Sequence, residues 1–209
     1  MIRIAMADDH AIVREGLKRI LGTTSDLAVT GDVGTADELL TLLRTQSFDV
    51  VVLDLTLGPR SGLELLKHVR SEFPHLPVLI LSMHTGEEFA LRALRAGAVG
   101  YVQKESAPEE LVTAVRRVVA GGTYVNAALA ERLAMQLARG GVKAPHETLS
   151  DRELEVFLLL AAGKAVSEIA ADLNLSVKTV STHRARILEK TGFQRNADLT
   201  RYAIEHQLL

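Results

Sequence analysis

The sequence contains no cysteine, which excludes disulfides and thiolate metal sites and fits a reducing compartment without establishing one. No apolar run approaches the ~18–20 residues that a membrane-spanning helix needs. The opening MIRIAMADDH has no basic stretch ahead of a long apolar core and no small-residue cleavage site, so no signal peptide is expected. The seven histidines are scattered, with no pair at metal-ligand spacing beside carboxylates. What is present suits a globular protein: 209 residues, 47% hydrophobic and 24% charged, enough to build one large core or two small ones.

The net charge of −2 hides an asymmetry. Residues 1–125 carry 13 Lys+Arg against 16 Asp+Glu, whereas residues 148–209 carry 8 of each. Within that neutral stretch, residues 176–195 place Lys178, Arg184, Arg186, Lys190 and Arg195 against Glu189 alone. A local basic patch suits an anionic partner, although charge runs are usually solvated faces.

The first 122 residues alternate short apolar runs with amphipathic stretches. Strands are expected at Ile2–Ala7, Leu27–Val33, Val50–Leu53, Pro77–Leu81 and Val99–Val102. Helices are expected at His10–Leu21, Ala36–Arg44, Gly62–Ser71, Glu87–Ala96 and Pro108–Ala120, with a Gly58-Pro59 loop before the third. Near-continuous apolar strands imply burial on both faces and hence a parallel sheet. Five βα repeats predict a doubly wound α/β domain of flavodoxin-like order 2-1-3-4-5.

Residues 123–147 change character, with a short helix expected at Ala127–Ala138 and a flexible linker from Arg139 to Pro145. From 148 to 209 the pattern is all-α, with four helices. Ser150-Asp-Arg-Glu153 is a capping box. Val166–Leu173 follows, then a turn at Asn174-Leu175-Ser176. Ser176 caps a third helix running to about Lys190, and Asn196 is placed to cap a fourth, with Leu199, Tyr202, Ala203 and His206 in register.

The polar residues of the first domain sit at strand ends. Strand one runs into Asp8 and Asp9, strand three into Asp54, strand four into Ser82, and strand five is followed by Lys104. In an open parallel sheet the carboxyl ends of the strands face one crevice, where ligands bind. One strand-end acid is more often a helix cap than a ligand, but a set spread over separate strand ends is poorly explained that way. Three carboxylates in one crevice raise one another's pKa unless a cation joins them. A hard ion such as Mg2+ takes oxygen ligands, so two carboxylates and a backbone carbonyl would serve. A carboxylate can also act as a nucleophile and form an aspartyl phosphate, which needs positive charge and a donor nearby, available from Lys104 and Ser82.

Asp8-Asp9, Asp54, Ser82 and Lys104, with the flanking DDHAIVREGLKRIL and SGLELLKHVR, resemble the signature positions of a response-regulator receiver domain of the NarL/FixJ class. The resemblance implies that Asp54 is the phosphoacceptor, that Asp9 and Asp54 hold Mg2+ with the Thr56 carbonyl, and that Asp8 acts through a bound water. Ser82 and Lys104 would contact the phosphoryl oxygens. Tyr101 matches the aromatic switch residue, or else simply caps the sheet. Two positions depart from the family pattern: Gly58-Pro59-Arg60 after the phosphoacceptor, and Glu105 rather than proline after Lys104. His84, two residues past Ser82, either shapes access to the site or is an exposed loop histidine.

On a helical wheel at about 100° per residue, Val180, His183 and Ile187 share the face of the third C-terminal helix that must pack. Lys178, Ser181, Thr182, Ala185 and Glu189 lie opposite, flanked by Arg184 and Arg186. A short helix, a tight turn and a helix with a polar, partly basic outer face form the helix-turn-helix pattern. The small residues Ser181, Thr182 and Ala185 allow close approach to the major groove and can read base edges, the basic flanks can hold phosphates, and Thr179 and Lys190 are further candidate contacts. The same pattern fits an ordinary amphipathic helix. The stretch LSDRELEVFLLLAAGKAVSEIAADLNLSVKTVSTHRARILEKTG, however, is similar to the LuxR-type DNA-binding domain. The two resemblances imply a cytoplasmic bacterial two-component response regulator, not an enzyme. It would be phosphorylated on Asp54 by a sensor histidine kinase and would bind promoter DNA as a homodimer through residues 197–206, with RNA polymerase as a further partner. Two rivals share these features: a Mg2+-dependent phosphohydrolase or phosphotransferase using Asp54, and a constitutive DNA binder whose receiver only dimerises.

Overall fold

A computed structural model describes residues 1–57, 62–83, 87–127, 129–131, 144–206 and 208–209. The Gly58-Pro59-Arg60 loop, His84, most of the Ala127–Ala138 helix and the glycine-rich part of the linker lie outside them. The chain divides into two compact units, Met1–Met135 and Gln136–Leu209.

The first unit alternates strands β1 (Ile2–Ala7), β2 (Leu27–Val33), β3 (Val50–Asp54), β4 (Val78–Ser82) and β5 (Gly100–Gln103) with helices α1 (Ala11–Leu21), α2 (Ala36–Thr45), α3 (Gly62–Glu72), α4 (Glu87–Arg95) and α5 (Ala107–Val119). The strands pair in parallel in the order β2-β1-β3-β4-β5, as expected. Every residue of β3 and β4 is buried, because helices cover both faces of the sheet. On one face Ile4, Met6, Val50, Val52, Leu79, Leu81 and Val102 meet Leu17 and Leu21 of α1 and Leu111, Ala114, Val115 and Val118 of α5. Each of the Val, Leu, Ile and Met side chains among them stabilises the fold by about 1.5–3 kcal/mol relative to exposure. α2, α3 and α4 pack against the sheet as well.

Local chemistry fixes the element ends. Thr35 caps α2, accepting from the Glu38 amide at 3.3 Å, while the Glu38 carboxylate accepts from the Thr35 amide at 3.1 Å. Gly62 opens α3 where a Cβ would lie 2.4 Å from the Leu55 Cα, so only glycine lets this helix start against the exit of β3. Beyond α5 the chain returns to the sheet edge. The Tyr124 amide donates to the Val99 carbonyl and the Tyr101 amide to the Tyr124 carbonyl. The compact unit therefore runs past residue 122, and the return strip covers the open edge of β5.

The second unit begins with a 3-10 turn at Pro145–Thr148 and continues with α6 (Asp151–Ala161), α7 (Val166–Asp172), α8 (Val177–Thr191) and α9 (Asn196–Glu205). Leu154, Val156, Phe157, Ile169, Val180, Ile187, Leu199 and Ala203 form its core. The Ser150 capping box is present: the Glu153 amide donates to the Ser150 hydroxyl at 3.3 Å and the Ser150 amide to the Glu153 carboxylate at 2.7 Å. Ser176 caps α8 by accepting from the Thr179 amide at 3.0 Å, and Gly192 ends it at φ 75°. The expectation for Asn196 needs correcting. Arg195 occupies the cap position of α9, and Asp198 accepts from the Arg195 amide at 3.0 Å. A carboxylate three residues into the helix already serves the free amides, which leaves the Asn196 side chain for another partner.

Candidate phosphoacceptor crevice and DNA-facing helix

The strand ends bring Asp8, Asp54, Ser82 and Lys104 together. In the parallel register Ala7 of β1 lies beside Leu53 of β3, Asp54 beside Leu81 of β4, and Ser82 beside Gln103 of β5. The residue that ends each strand, or the one just after it, therefore points at a common crevice. Asp8 and Asp54 are each 1% exposed. The Lys104 ammonium lies 2.7 Å from Asp54 Oδ2 and 2.6 Å from Asp8 Oδ2. It donates a hydrogen bond to Asp54. The contact to Asp8 Oδ2 is a buried ion pair with the same ammonium. The other Asp54 oxygen accepts from both the amide and the hydroxyl of Thr56, each at 3.1 Å.

Burial pushes the Asp54 carboxyl above its ordinary pKa, and the Lys104 charge and hydrogen bond oppose that rise only in part. For Lys104, burial works against the ammonium, but the Asp54 and Asp8 carboxylates outweigh it and raise its pKa. Tyr101 is buried and shares a side-chain hydrogen bond with Ser82. Burial lifts its phenol to about 12, so it is neutral at physiological pH. The Lys104 amide donates to the Ser82 carbonyl at 2.9 Å, tying the two strand ends together. The Lys104–Glu105 peptide bond is trans.

Asp9 sits at the mouth of the crevice, exposed. Two residues that the sequence reading did not single out complete the setting. The His10 ring places Nδ1 2.6 Å from Asp9 Oδ1, and the Arg14 guanidinium donates to the Asp8 carbonyl at 2.6 Å. Their only signal was position, one residue and five residues after Asp9.

In α8, Lys178, Ser181, Thr182, Ala185, Arg186 and Lys190 are exposed, while Val180 and Ile187 are fully buried. Thr179 and His183 are half-buried. The Ser181 and Thr182 hydroxyls donate to the Val177 and Lys178 carbonyls, at 2.8 and 3.0 Å. This internal bonding leaves each oxygen able to accept. Two of the expected cations are engaged within the unit. Arg184 donates to the Asn196 side chain at 2.8 Å, and the Lys190 ammonium to the buried Glu153 carboxylate at 2.6 Å. Val177, 54% exposed at the start of α8, is an apolar surface residue that the sequence reading passed over. The His183 ring is held below its ordinary pKa, first by burial and then by the nearby Arg152 charge.

Comparison with known proteins agrees with both regions. The response regulator receiver domain family matches residues 4–116. The family of bacterial regulatory proteins, luxR family, matches residues 147–203. The chain is 40% identical over 202 residues to the transcriptional regulatory protein UhpA of Escherichia coli (strain K12), covering 96% of this chain and 97% of that one. It is 34% identical over 209 residues to the response regulator UvrY of the same organism, covering 100% and 96%. Among solved structures, RcsB from Salmonella enterica serovar Typhimurium, bound to promoter P1flhDC in the presence of the phosphomimetic BeF3-, aligns with a TM-score of 0.64 and 28% identity over 96% of this chain and 97% of that one. The chain belongs to the two-component response regulators of the NarL/FixJ type, in which a receiver domain is joined to a LuxR-type helix-turn-helix domain. This is a family of transcriptional regulators.

Proposed function

We propose that Asp54 accepts a phosphoryl group from a sensor histidine kinase, and that the modified chain binds promoter DNA as a dimer to regulate transcription. The observation that carries this reading is the pairing of a buried Asp54 carboxylate with Lys104 at 2.7 Å. The ammonium opposes the rise that burial imposes on the Asp54 carboxyl and stands where phosphoryl charge would gather. In the transfer, an Asp54 oxygen bonds to phosphorus as the bond from phosphorus to the donor's imidazole nitrogen breaks, and that nitrogen keeps the electron pair. Lys104 and the Ser82 hydroxyl then hold the phosphoryl oxygens. As Ser82 moves toward them, its hydrogen bond to Tyr101 is given up, and the phenol is released to repack.

The donor set suits a hard divalent cation. Carboxylate oxygens of Asp8, Asp9 and Asp54 converge within 4.8 Å of one another, with His10 beside them. Asp9, Asp54 and the Thr56 carbonyl would hold Mg2+, with Asp8 acting through a water. Bound there, Mg2+ would neutralise charge on the transferring group.

For DNA, the exposed face of α8 supplies Lys178, Ser181, Thr182, Ala185 and Arg186 to the major groove, with Thr179 at its half-buried edge. Arg184 and Lys190 would offer phosphates the donors left over from Asn196 and Glu153. Ile204, 64% exposed on α9 beside Ala197 and Arg201, is the apolar centre of the dimer contact. The domains are read as 1–122 receiver, 123–147 linker and 148–209 helix-turn-helix, with the first linker residues around Tyr124 bound to the receiver's edge. The regulator would work in the cytoplasm, with RNA polymerase as its eventual partner, and without catalytic turnover of its own. The deciding experiment is the intact mass after incubation with acetyl phosphate and Mg2+, beside Asp54→Asn. The expected result is one added phosphoryl group in wild type only. Addition to both would place the acceptor elsewhere, and steady phosphate release from small esters would favour the phosphohydrolase reading.

A further inference from the structure

The His10 ring is aimed at the acidic crevice rather than at helix α1. Residue 10 occupies the cap position of α1, yet its side chain makes no capping hydrogen bond. Its backbone amide is tied inward instead, donating to Asp8 Oδ1 at 2.8 Å. Nδ1 lies 2.6 Å from Asp9 Oδ1 and 3.5 Å from Asp8 Oδ1. It belongs to a set of four donors, with Asp8, Asp9 and Asp54, whose ligand atoms all fall within 4.8 Å of one another. Asp8 Oδ2, buried in the same crevice, is held by the Lys104 ammonium at 2.6 Å, which leaves Asp8 Oδ1 as its oxygen nearer the ring. Three acidic oxygens alone describe a site for a hard ion. A fourth donor that is an imidazole nitrogen changes the chemistry, because Mg2+ favours oxygen and water whereas first-row ions such as Co2+, Ni2+ and Zn2+ gain from imidazole.

We infer that His10 is a nitrogen ligand of the crevice cation, so that this receiver prefers first-row divalent ions over Mg2+ more strongly than its three carboxylates alone would. The inference rests on the reading of the crevice as a cation site. Nδ1 ligates when the neutral ring carries its hydrogen on Nε2, a tautomer open to a side chain that is 62% exposed. The competing account is that the ring only hydrogen-bonds Asp9 and orients it. That account predicts equal effects of His10 on all ions, because every ion uses Asp9.

The test uses the untagged full-length chain, titrated calorimetrically with Co2+ and with Mg2+, and the visible absorption of the Co2+ form. Wild type, His10→Gln and Asp9→Asn are compared. Asp9→Asn should weaken both ions and so mark which binding event belongs to the crevice. In His10→Gln, Co2+ affinity should fall about tenfold, the lower end of the losses seen when groups supporting a metal are removed. Mg2+ affinity should change by less than about twofold, since Mg2+ gains little from imidazole. The Co2+ absorption bands should also shift as nitrogen leaves the coordination shell. Equal losses for both ions, or no loss with unchanged bands, would overturn the ligand role and leave His10 as a hydrogen-bond partner of Asp9. If neither ion binds wild type at an Asp9-dependent site, the cation reading itself fails, and this inference with it.

Discussion

In the crevice, Asp8 and Asp54 are each 1% exposed and share the ammonium of Lys104. On α8, Lys178 and Arg186 stand in solvent. Burial makes each charge in the first region depend on its partner, since an unpaired buried ion is costly. Exposure makes each charge in the second nearly independent, available to a polyanion and screened by salt. A switch benefits from the first arrangement, because one added phosphoryl group upsets a balanced set. A surface that must find DNA benefits from the second.

The largest expected effect comes from breaking the buried set. Lys104→Met leaves two buried carboxylates facing each other without their cation. The rate of phosphoryl incorporation from acetyl phosphate should fall on the order of 10²-fold, the cost of losing one positioned electrostatic group. Stability should drop by about 3 kcal/mol, as when one partner of a buried pair is removed. Denaturant unfolding and timed mass spectra read both. A loss under about 0.5 kcal/mol, the range of ordinary surface changes, would mean that the crevice admits enough water to make its charges behave like those of α8.

The second prediction concerns α8 and sharpens the contrast within it. Arg186→Ala should weaken binding to all sequences and lower the slope of log affinity against log salt by about one. Lys190→Ala should lower that slope by less, because its ammonium already neutralises Glu153 at 2.6 Å. The same substitution should cost stability that Arg186→Ala does not. Equal slopes would show that Lys190 leaves Glu153 when DNA arrives.

That distinction also marks how far the sequence could be read. The crevice was legible because each apolar run ends in a polar residue, and parallel pairing forces those ends to one side. The helix-turn-helix was legible because Ser150-Asp-Arg-Glu153 and the face of Val180, His183 and Ile187 are local patterns. Lys190 with Glu153, 37 residues apart, and Arg184 with Asn196 are contacts between different helices. No periodicity encodes which flexible side chain reaches which partner. The His10 ring was missed for the same reason: its residue type was visible beside Asp9, but its direction was not. Tyr124 on the edge of β5 was missed because a single bridging residue has no strand pattern of its own.

A smaller effect is expected at the cap of α6. Ser150→Ala removes the acceptor for the Glu153 amide and should cost the second unit about 1 kcal/mol, visible as faster amide exchange in α6. Glu153 would keep Lys190, so the two losses are separable: Ser150→Thr should keep the cap that Ser150→Ala loses, whereas the loss in Lys190→Ala should not depend on the residue at 150.

The smallest effect tests whether exposure, rather than domain, decides how charge behaves. Asp26 and Arg116 join the start of β2 to α5 on the surface of the receiver unit, with Nη2 2.7 Å from Oδ1 and Nε 2.8 Å from Oδ2. The bidentate hydrogen bond from Arg116 lowers the Asp26 carboxyl to about 2. A depressed carboxyl stabilises the fold above its unfolded pKa and loses that contribution as pH falls through its folded pKa. The window therefore lies between the ordinary carboxylate range and about 2, and near neutral pH the contribution is constant. Arg116→Ala should return the Asp26 titration, followed by NMR, to the ordinary range. It should barely move the unfolding midpoint at neutral pH, as expected of a solvent-screened pair. If it instead destabilised the receiver as much as Lys104→Met does, position in the α/β unit would matter more than burial, and the contrast between crevice and α8 would need another cause.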